Sequence, residues 1–143
     1  MQKILVGLDS SPRAGAVLEE ATKLSRLTGA KLVLLRAVGV PVELPMEAYR
    51  LSPASLSEVL QQEAQKGLEE LAAKGATPEV IDSIRVGIGT PWQVICEAAR
   101  ELDVDLIMIG SHGFGVLDRV IGTTAARVVN HADRSVLVTR PRP

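Results

Sequence analysis

Residues 3–24 read KILVGLDSSPRAGAVLEEATKL, an apolar run followed by a short turn and a helical repeat. The run KILVGLD has hardly any polar residue on either face, which is typical of a parallel strand that is buried on both sides. Ser10-Ser11-Pro12 stops the run and predicts a capped helix start with proline in the first turn, and Gly29 predicts the helix end. Apolar residues recur between these signals at helical spacing, at Ala14, Val17, Leu18, Ala21 and Leu24. The stretch therefore predicts a buried strand followed by an amphipathic helix, the repeating unit of an α/β fold.

The same alternation continues along the chain. Further strands are predicted at 31–38, within 79–87, at 104–110 and at 135–140. Helical spacing returns between them, from Leu56 to Gly75, after Gly89-Thr90-Pro91, and over 123–132. Because the strands are apolar almost throughout, we expect a doubly wound five-stranded parallel sheet, flavodoxin-like or Rossmann-like, with helices on both faces.

Residues 39–54 break both periodicities. The segment contains Gly39, Pro41, Pro45 and Pro53, which predict a long surface loop at the carboxyl end of the second strand.

Length and composition exclude several classes of protein. A chain of 143 residues predicts one domain over 1–143, and 2% aromatic residues predict a core of Leu, Val, Ile and Ala. The 16 basic and 17 acidic residues nearly cancel, so no nucleic-acid partner is expected. No apolar run reaches the roughly 18 residues that cross a bilayer, and Met1-Gln2-Lys3 leads directly into a strand, so we expect a cytoplasmic protein without a membrane partner. Cys96, the single cysteine, is predicted to be a buried, inert thiol.

A glycine-containing stretch, GSHGFGVLDRVIGTT at 110–124, follows the fourth predicted strand. In open α/β sheets ligands bind outside the carboxyl ends of the strands, where the strand order reverses, here between the first and fourth strands. Asp9 ends the first strand at the same crevice. A carboxylate, a glycine-containing loop and a helix start are therefore expected to face one another.

These residue types fit a nucleotide. Gly110 and Gly113 let backbone N–H groups approach a ligand closely. Gly122, Thr123 and Thr124 stand at a predicted helix start, where unpaired amides and the helix dipole favour an anion. The Asp9 carboxylate can accept from ribose hydroxyls or hold a divalent cation that bridges phosphates.

Each feature also has a structural explanation. The glycines can serve turn geometry, the threonines can cap a helix, and Asp9 can be a helix-start residue. His112 has no Cys, Asp or Glu at metal-ligand spacing, so neither a metal nor a catalytic role is expected for it. His131 near a helix end is explained by compensation of the helix dipole. The stretch contains neither the P-loop nor the dinucleotide fingerprint.

The chain resembles the universal stress protein family over almost its whole length. ILVGLDSSPRAGAVLEEA is similar to the family's opening strand, aspartate and helix, and GSHG followed by DRVIGTTAARVVNHADRSVLVTR is similar to its ending. The resemblance implies a flavodoxin-like sheet in the order 3-2-1-4-5, small homo-oligomers and, in one branch of the family, ATP binding.

The ATP-binding branch carries the pattern G-x2-G-x9-G-[ST]. Gly110, Gly113, Gly122 and Thr123 match it, except that eight residues instead of nine separate Gly113 from Gly122. The resemblance implies roles for further residues. It places Asp9 against the ribose and the phosphates, or against a Mg or Mn ion that they bind, and it includes the neighbouring Leu8 in the binding site. It places the backbone at Ala37 at the adenine edge. It places Gly110 by the ribose and the phosphates on Gly113, Gly122, Thr123 and Thr124.

The function that these residues favour is an ATP-binding regulatory module of the stress response, with an unidentified protein partner. Two alternatives stay open, a slow ATPase or self-phosphorylating enzyme and a dimeric scaffold without a nucleotide. The last strand, Ser135 to Arg140, is short and apolar, and the resemblance implies that it lies at a sheet edge and pairs with its copy in a second subunit. An exposed apolar edge strand has to be covered. We therefore expect a homodimer through this strand, or a dimer of dimers, and closure of the 39–54 loop over the nucleotide.

Overall fold

The computed structural model describes residues 1–39, 53–76, 78–111 and 121–140 of the chain. Its strands are β1 (Lys3–Gly7), β2 (Lys31–Val38), β3 (Ile81–Ile88), β4 (Leu106–Gly110) and β5 (Ser135–Thr139). Its helices are α1 (Ala14–Thr28), α2 (Pro53–Gly75), α3 (Pro91–Glu101) and α4 (Thr123–His131), and a 3-10 turn over Pro78–Val80 precedes β3. Most of the expected 39–54 loop, together with His112 and Gly113, lies outside the described residues.

The five strands form one parallel sheet in the order β3-β2-β1-β4-β5. This confirms the doubly wound α/β fold and the order 3-2-1-4-5. The central strand β1 is paired on both edges, with Ile4 opposite Leu32 of β2 on one side and Leu106 of β4 on the other. Strand order therefore reverses between β1 and β4, as the fold class requires for a ligand crevice.

Side chains from the three central strands, β1, β2 and β4, alternate between two hydrophobic cores. One core contains Ile4, Val6, Leu32 and Leu34, which pack against α1 and α2 on one face of the sheet. The fully buried Leu18 of α1 belongs to this core. On the other face, Leu5, Val33, Leu35, Ile107 and Ile109 pack with α3 and α4. Helices therefore cover both faces of the sheet, which explains why its strands are apolar in both registers.

Several element boundaries differ from the sequence expectation; β4, for example, begins at Leu106 instead of Val104. β1 ends at Gly7, so Asp9 lies two residues beyond the strand instead of ending it. α1 begins at Ala14, because Asp9 and Ser11 form a hydrogen-bonded turn before the helix and Ser10-Ser11-Pro12 is not its cap. α2 begins at Pro53, since a proline in the first helical turn loses no helical hydrogen bond and starts a helix as readily as it ends one.

Cys96 lies on α3 and is 6% exposed. Burial raises the pKa of its thiol, with the nearby Arg100 acting in the opposite direction. The predicted burial of Cys96 in the core is confirmed, and a raised pKa favours the less reactive protonated thiol.

Every helix in the described part of the chain is too short or too polar to cross a bilayer.

Alanine substitutions at two glycines are expected to have opposite effects on the stability of the fold. A Cβ at Gly87 of β3 would lie 2.4 Å from Cγ1 of Val94, a stiff side chain on α3, whereas a Cβ at Gly15 of α1 would meet nothing within 4 Å. We expect Gly87→Ala to lower the free energy of unfolding by about 1–3 kcal/mol through overpacking. Gly15→Ala should raise it by about 0.5–1 kcal/mol through helix propensity. Urea denaturation of both variants measures this, and an unaffected Gly87→Ala protein would contradict the close packing of α3 on β3.

Candidate functional site

A cavity of about 450 Å³ opens at the carboxyl ends of β1, β2 and β4. It lies next to the first residues of α1, α3 and α4, where the sequence predicted a ligand crevice. Its lining includes seven of the eight predicted binding residues, namely Leu8, Asp9, Ala37, Gly110, Gly122, Thr123 and Thr124. The eighth, Gly113, lies outside the described residues. The fold thus brings residues from four distant parts of the chain to one cavity.

The end of β1 presents a carboxylate to this cavity. Leu8 is buried and its N–H donates to the carbonyl oxygen of Leu35 at 2.9 Å, which extends the β1–β2 ladder by one residue. Asp9 is exposed, and its Oδ1 accepts from the N–H of Ser11 at 2.9 Å. The Ser11 hydroxyl in turn accepts from the N–H of Arg13 at 3.3 Å. This turn fixes the direction in which the Asp9 side chain leaves the sheet.

Only one oxygen of the Asp9 carboxylate is used by this turn. Among the described residues, no hydrogen-bond donor contacts Oδ2. An exposed carboxylate oxygen at a cavity can accept from a hydroxyl of a ligand or bind a divalent cation.

The start of α4 forms the opposite wall. Gly122 is the N-cap residue, and its own N–H donates to the carbonyl oxygen of Ser111 at 2.6 Å. Its backbone angles, φ −67° and ψ 166°, are open to any residue, so glycine is not needed there for conformational reasons. What glycine contributes is the absence of a side chain that would cap the helix. The first amides of α4 therefore have no N-cap side chain as acceptor and, with the helix dipole, favour an anion.

The rest of the lining combines small and apolar groups. Leu35, Ile95 and Ile109 come from the buried core below the cavity, and Pro91 begins α3. Gly110, the last residue of β4, lines the cavity next to Ile109. The cavity is therefore apolar at its base, carries a carboxylate on one side, and has a helix N-terminus on the other.

Two arginines near the cavity were missed by the sequence analysis. Arg13, at the N-cap position of α1, lines the cavity directly. Arg36 of β2 lies behind it and donates to the carbonyl oxygens of Leu8 and Asp9. Burial lowers the pKa of the Arg36 guanidinium, and the Asp9 carboxylate acts in the opposite direction. A charged residue inside an apolar strand was the available sequence signal for Arg36.

A larger cavity, of about 600 Å³, lies between α1 and β5 and shares Arg13, Val17 and Gly110 with the first. Many of its lining residues are charged side chains of α1, and Lys23 there is paired with Glu19 and Glu20. We assign the candidate site to the smaller cavity because it contains the predicted residues and lies where the strand order reverses.

His131 lies in the last turn of α4 and is absent from the lining of the candidate site. Its Nδ1 is 2.8 Å from the carbonyl oxygen of Arg127, and its ring packs on Trp92 with centroids 4.3 Å apart. This position fits the expected role at the helix end. Within the described ranges, no three His, Cys, Asp or Glu side chains cluster as a metal site would require.

Comparison with known proteins gives consistent results. The model of the universal stress protein family matches residues 1–140. A Staphylococcus haemolyticus protein assigned to the universal stress proteins is 29% identical over 141 residues, which are 97% of this chain and 84% of that protein. The solved structure of the universal stress protein UspA from Lactobacillus plantarum is 26% identical, covers 97% of both chains and superposes with a TM-score of 0.76.

Two more distant solved structures contain nucleotides. A universal stress protein from Archaeoglobus fulgidus, in complex with dAMP, is 20% identical, covers 96% of this chain and 97% of its own, and has a TM-score of 0.58. A universal stress protein in complex with cAMP is 22% identical, covers 97% and 96%, and has a TM-score of 0.61. Because these two structures share only 20% and 22% identity with this chain, their likeness establishes the fold alone. Because the family model spans nearly all of the sequence, the chain belongs to the universal stress protein family.

Proposed function

We propose that this protein binds ATP in the cavity at the carboxyl ends of β1, β2 and β4 and acts as a nucleotide-dependent regulatory module of the stress response. The observation that carries the proposal is the convergence of Asp9, Ala37, Gly110 and the start of α4 on one cavity. The dAMP and cAMP complexes of two relatives support a nucleotide as the ligand class.

The triphosphate is assigned to the start of α4. The amides and hydroxyls of Thr123 and Thr124 supply hydrogen-bond donors, and the helix dipole supplies a favourable field. Because Gly110 and Gly113 carry no side chain, the backbone at these positions can approach the ligand closely. Arg13, which also lines the cavity, adds a positive charge. These groups favour a phosphate chain over an uncharged ligand.

The nucleoside occupies the rest of the cavity. Ala37 is at the end of β2, where its backbone can meet the adenine edge, and the apolar base of the cavity accepts a flat ring. Leu8 and Asp9 lie between the base and the phosphate end. The Oδ2 atom of Asp9 accepts from a ribose hydroxyl or holds a Mg or Mn ion that offsets the charge of the phosphates.

The proposed assembly is a homodimer through β5, or a dimer of such dimers. β5 is an edge strand of the sheet, and Leu137 on it is 38% exposed. An apolar edge strand favours pairing with a second chain. Nucleotide occupancy at the adjacent end of β4 is then in a position to affect the assembly or an unidentified protein partner.

A first test places a competing anion at the start of α4. We expect Gly122→Asp to keep the protein folded, because aspartate is a good N-cap residue and the backbone angles suit it. Its carboxylate should occupy the phosphate position and remove two or three charge-assisted hydrogen bonds of about 1.5–3 kcal/mol each, weakening ATP binding more than tenfold. Isothermal titration with Mg-ATP measures the change. Gln62→Glu on the exposed face of α2 is the control for net charge. Unchanged binding by folded Gly122→Asp would exclude a phosphate site there.

A second test addresses the cation. Asp9→Asn keeps an Oδ1 acceptor for the Ser11 amide but removes the negative charge. Because a neutral amide is a poorer ligand for Mg²⁺ than a carboxylate, we expect the magnesium-dependent gain in ATP affinity to fall by about tenfold. Titrations with and without magnesium measure this gain in both proteins. An equal magnesium effect in wild type and Asp9→Asn would show that the carboxylate does not hold the metal.

A third test concerns the assembly. Light scattering at micromolar concentration should give twice the chain mass of 15.2 kDa, or four times that mass for a dimer of dimers. Leu137→Lys should shift the mass towards that of the monomer, because a charge on an edge strand opposes pairing. Leu27→Lys is the matched control, since Leu27 is 85% exposed on α1, far from the β5 edge in sequence. A monomeric wild type would refute the proposed dimer.

A further inference from the structure

Arg36 makes an unusual pair of contacts at the end of β1. The arginine lies on β2 between Leu35 and Ala37, so that its side chain leaves the sheet on the face opposite to that of Ala37. Its Nε donates to the carbonyl oxygen of Leu8 at 3.0 Å, and its Nη2 donates to the carbonyl oxygen of Asp9 at 2.8 Å. The two donors of one planar guanidinium thus hold two consecutive carbonyl groups.

These carbonyls lie where the β-ladder ends. The Leu8 N–H still pairs with β2, but the Leu8 and Asp9 carbonyls belong to the turn that leads away from the sheet. The carbonyl of Leu8, which is part-buried, needs a donor, and among the described residues no strand amide supplies one. Arg36 supplies a donor to each of the two carbonyls and thereby fixes the peptide that carries the Asp9 side chain.

The arginine does this without blocking the carboxylate. The charges of Arg36 and Asp9 attract each other, yet both hydrogen bonds from Arg36 to this residue pair go to the main chain. The Asp9 Oδ1 is held by Ser11 instead, and Oδ2 has no donor among the described residues. The positive charge of Arg36 therefore compensates the negative charge of Asp9 while Oδ2 of the carboxylate stays accessible to a ligand.

Helix α2 packs close to this guanidinium. A Cβ at Gly67 would lie 2.9 Å from Nη1 of Arg36, so the end of this flexible side chain would have to shift to accept it. Gly67 therefore places α2 next to the end of the Arg36 side chain.

We propose that Arg36 is a positioning residue that holds the Leu8–Asp9 backbone from behind the sheet and so directs the Asp9 carboxylate into the cavity. The inference rests on the proposed nucleotide site, because it assigns Asp9 a ligand there. Lysine cannot replace arginine fully, since a single ammonium lacks the planar fork that reaches two neighbouring carbonyls.

The first experiment needs no ligand. Arg36→Met keeps the length and apolar packing of the side chain but removes both donors. In the ligand-free protein we expect the Leu8 and Ser11 amides to exchange hydrogen at least about tenfold faster, with Arg36→Lys intermediate. Arg134→Met is the matched control, because Arg134 also donates to a main-chain carbonyl, that of Val104, but at the amino end of the sheet. Wild-type exchange rates at Leu8 and Ser11 in both Arg36 variants would overturn the proposal.

The second experiment separates positioning from general stability. In titrations with Mg-ATP, Arg36→Met should weaken binding about fivefold in the wild-type background and hardly at all in the Asp9→Ala background, because the residue acts through Asp9. An equal loss in both backgrounds would mean that Arg36 acts on the fold and not on Asp9, which overturns the proposal. If the wild type binds no nucleotide, the proposed function fails, while the exchange measurement still decides whether Arg36 holds the end of β1.

Discussion

The whole arrangement depends on the burial of β1 on both faces and both edges. Ile4, Leu5 and Val6 are completely buried, and β1 pairs with β2 on one side and β4 on the other. Because the chain winds away from β1 in both directions, the connections that follow β1 and β4 pack on opposite faces and leave a crevice between them. The apolar core thus fixes the place where polar groups can meet a ligand.

The groups at this crevice are mostly backbone groups at the ends of elements. Strand β1 stops at Gly7, Leu8 still pairs with β2 through its N–H, and the chain then turns out of the sheet with the carboxylate of Asp9. α4 begins at a residue without a side chain, so its first amides are open to an acceptor. Such a site is built by strand and helix ends and needs few specialised side chains, which fits a fold that can change its ligand by small changes in its loops.

Three glycines serve this protein by lacking a side chain. Gly122 leaves the start of α4 uncapped, Gly67 leaves room for the Arg36 guanidinium, and Gly87 lets α3 approach β3. At Gly122 the backbone angles would accept any residue. The reason for these glycines is found in their neighbours, which the local sequence does not reveal.

The sequence by itself determined the alternation of strands and helices, the burial of the central strands on both faces, and the meeting of Asp9, Gly110 and the start of α4 at the cavity, whereas Leu8 and Ala37 were assigned to it through the family resemblance. These follow from local apolar spacing and from the rule that the carboxyl ends of parallel strands share one edge. The resemblance to a known family supplied the strand order, which periodicity alone leaves open. The tertiary structure decided that α1 starts only at Ala14, because the Asp9–Ser11 turn competes with the helix, and that Pro53 begins α2. It also decided the contacts of Arg36, whose hydrogen-bond partners are 27 and 28 residues away in the chain. Contacts between distant segments depend on register and side-chain direction, which are set only when the strands pair.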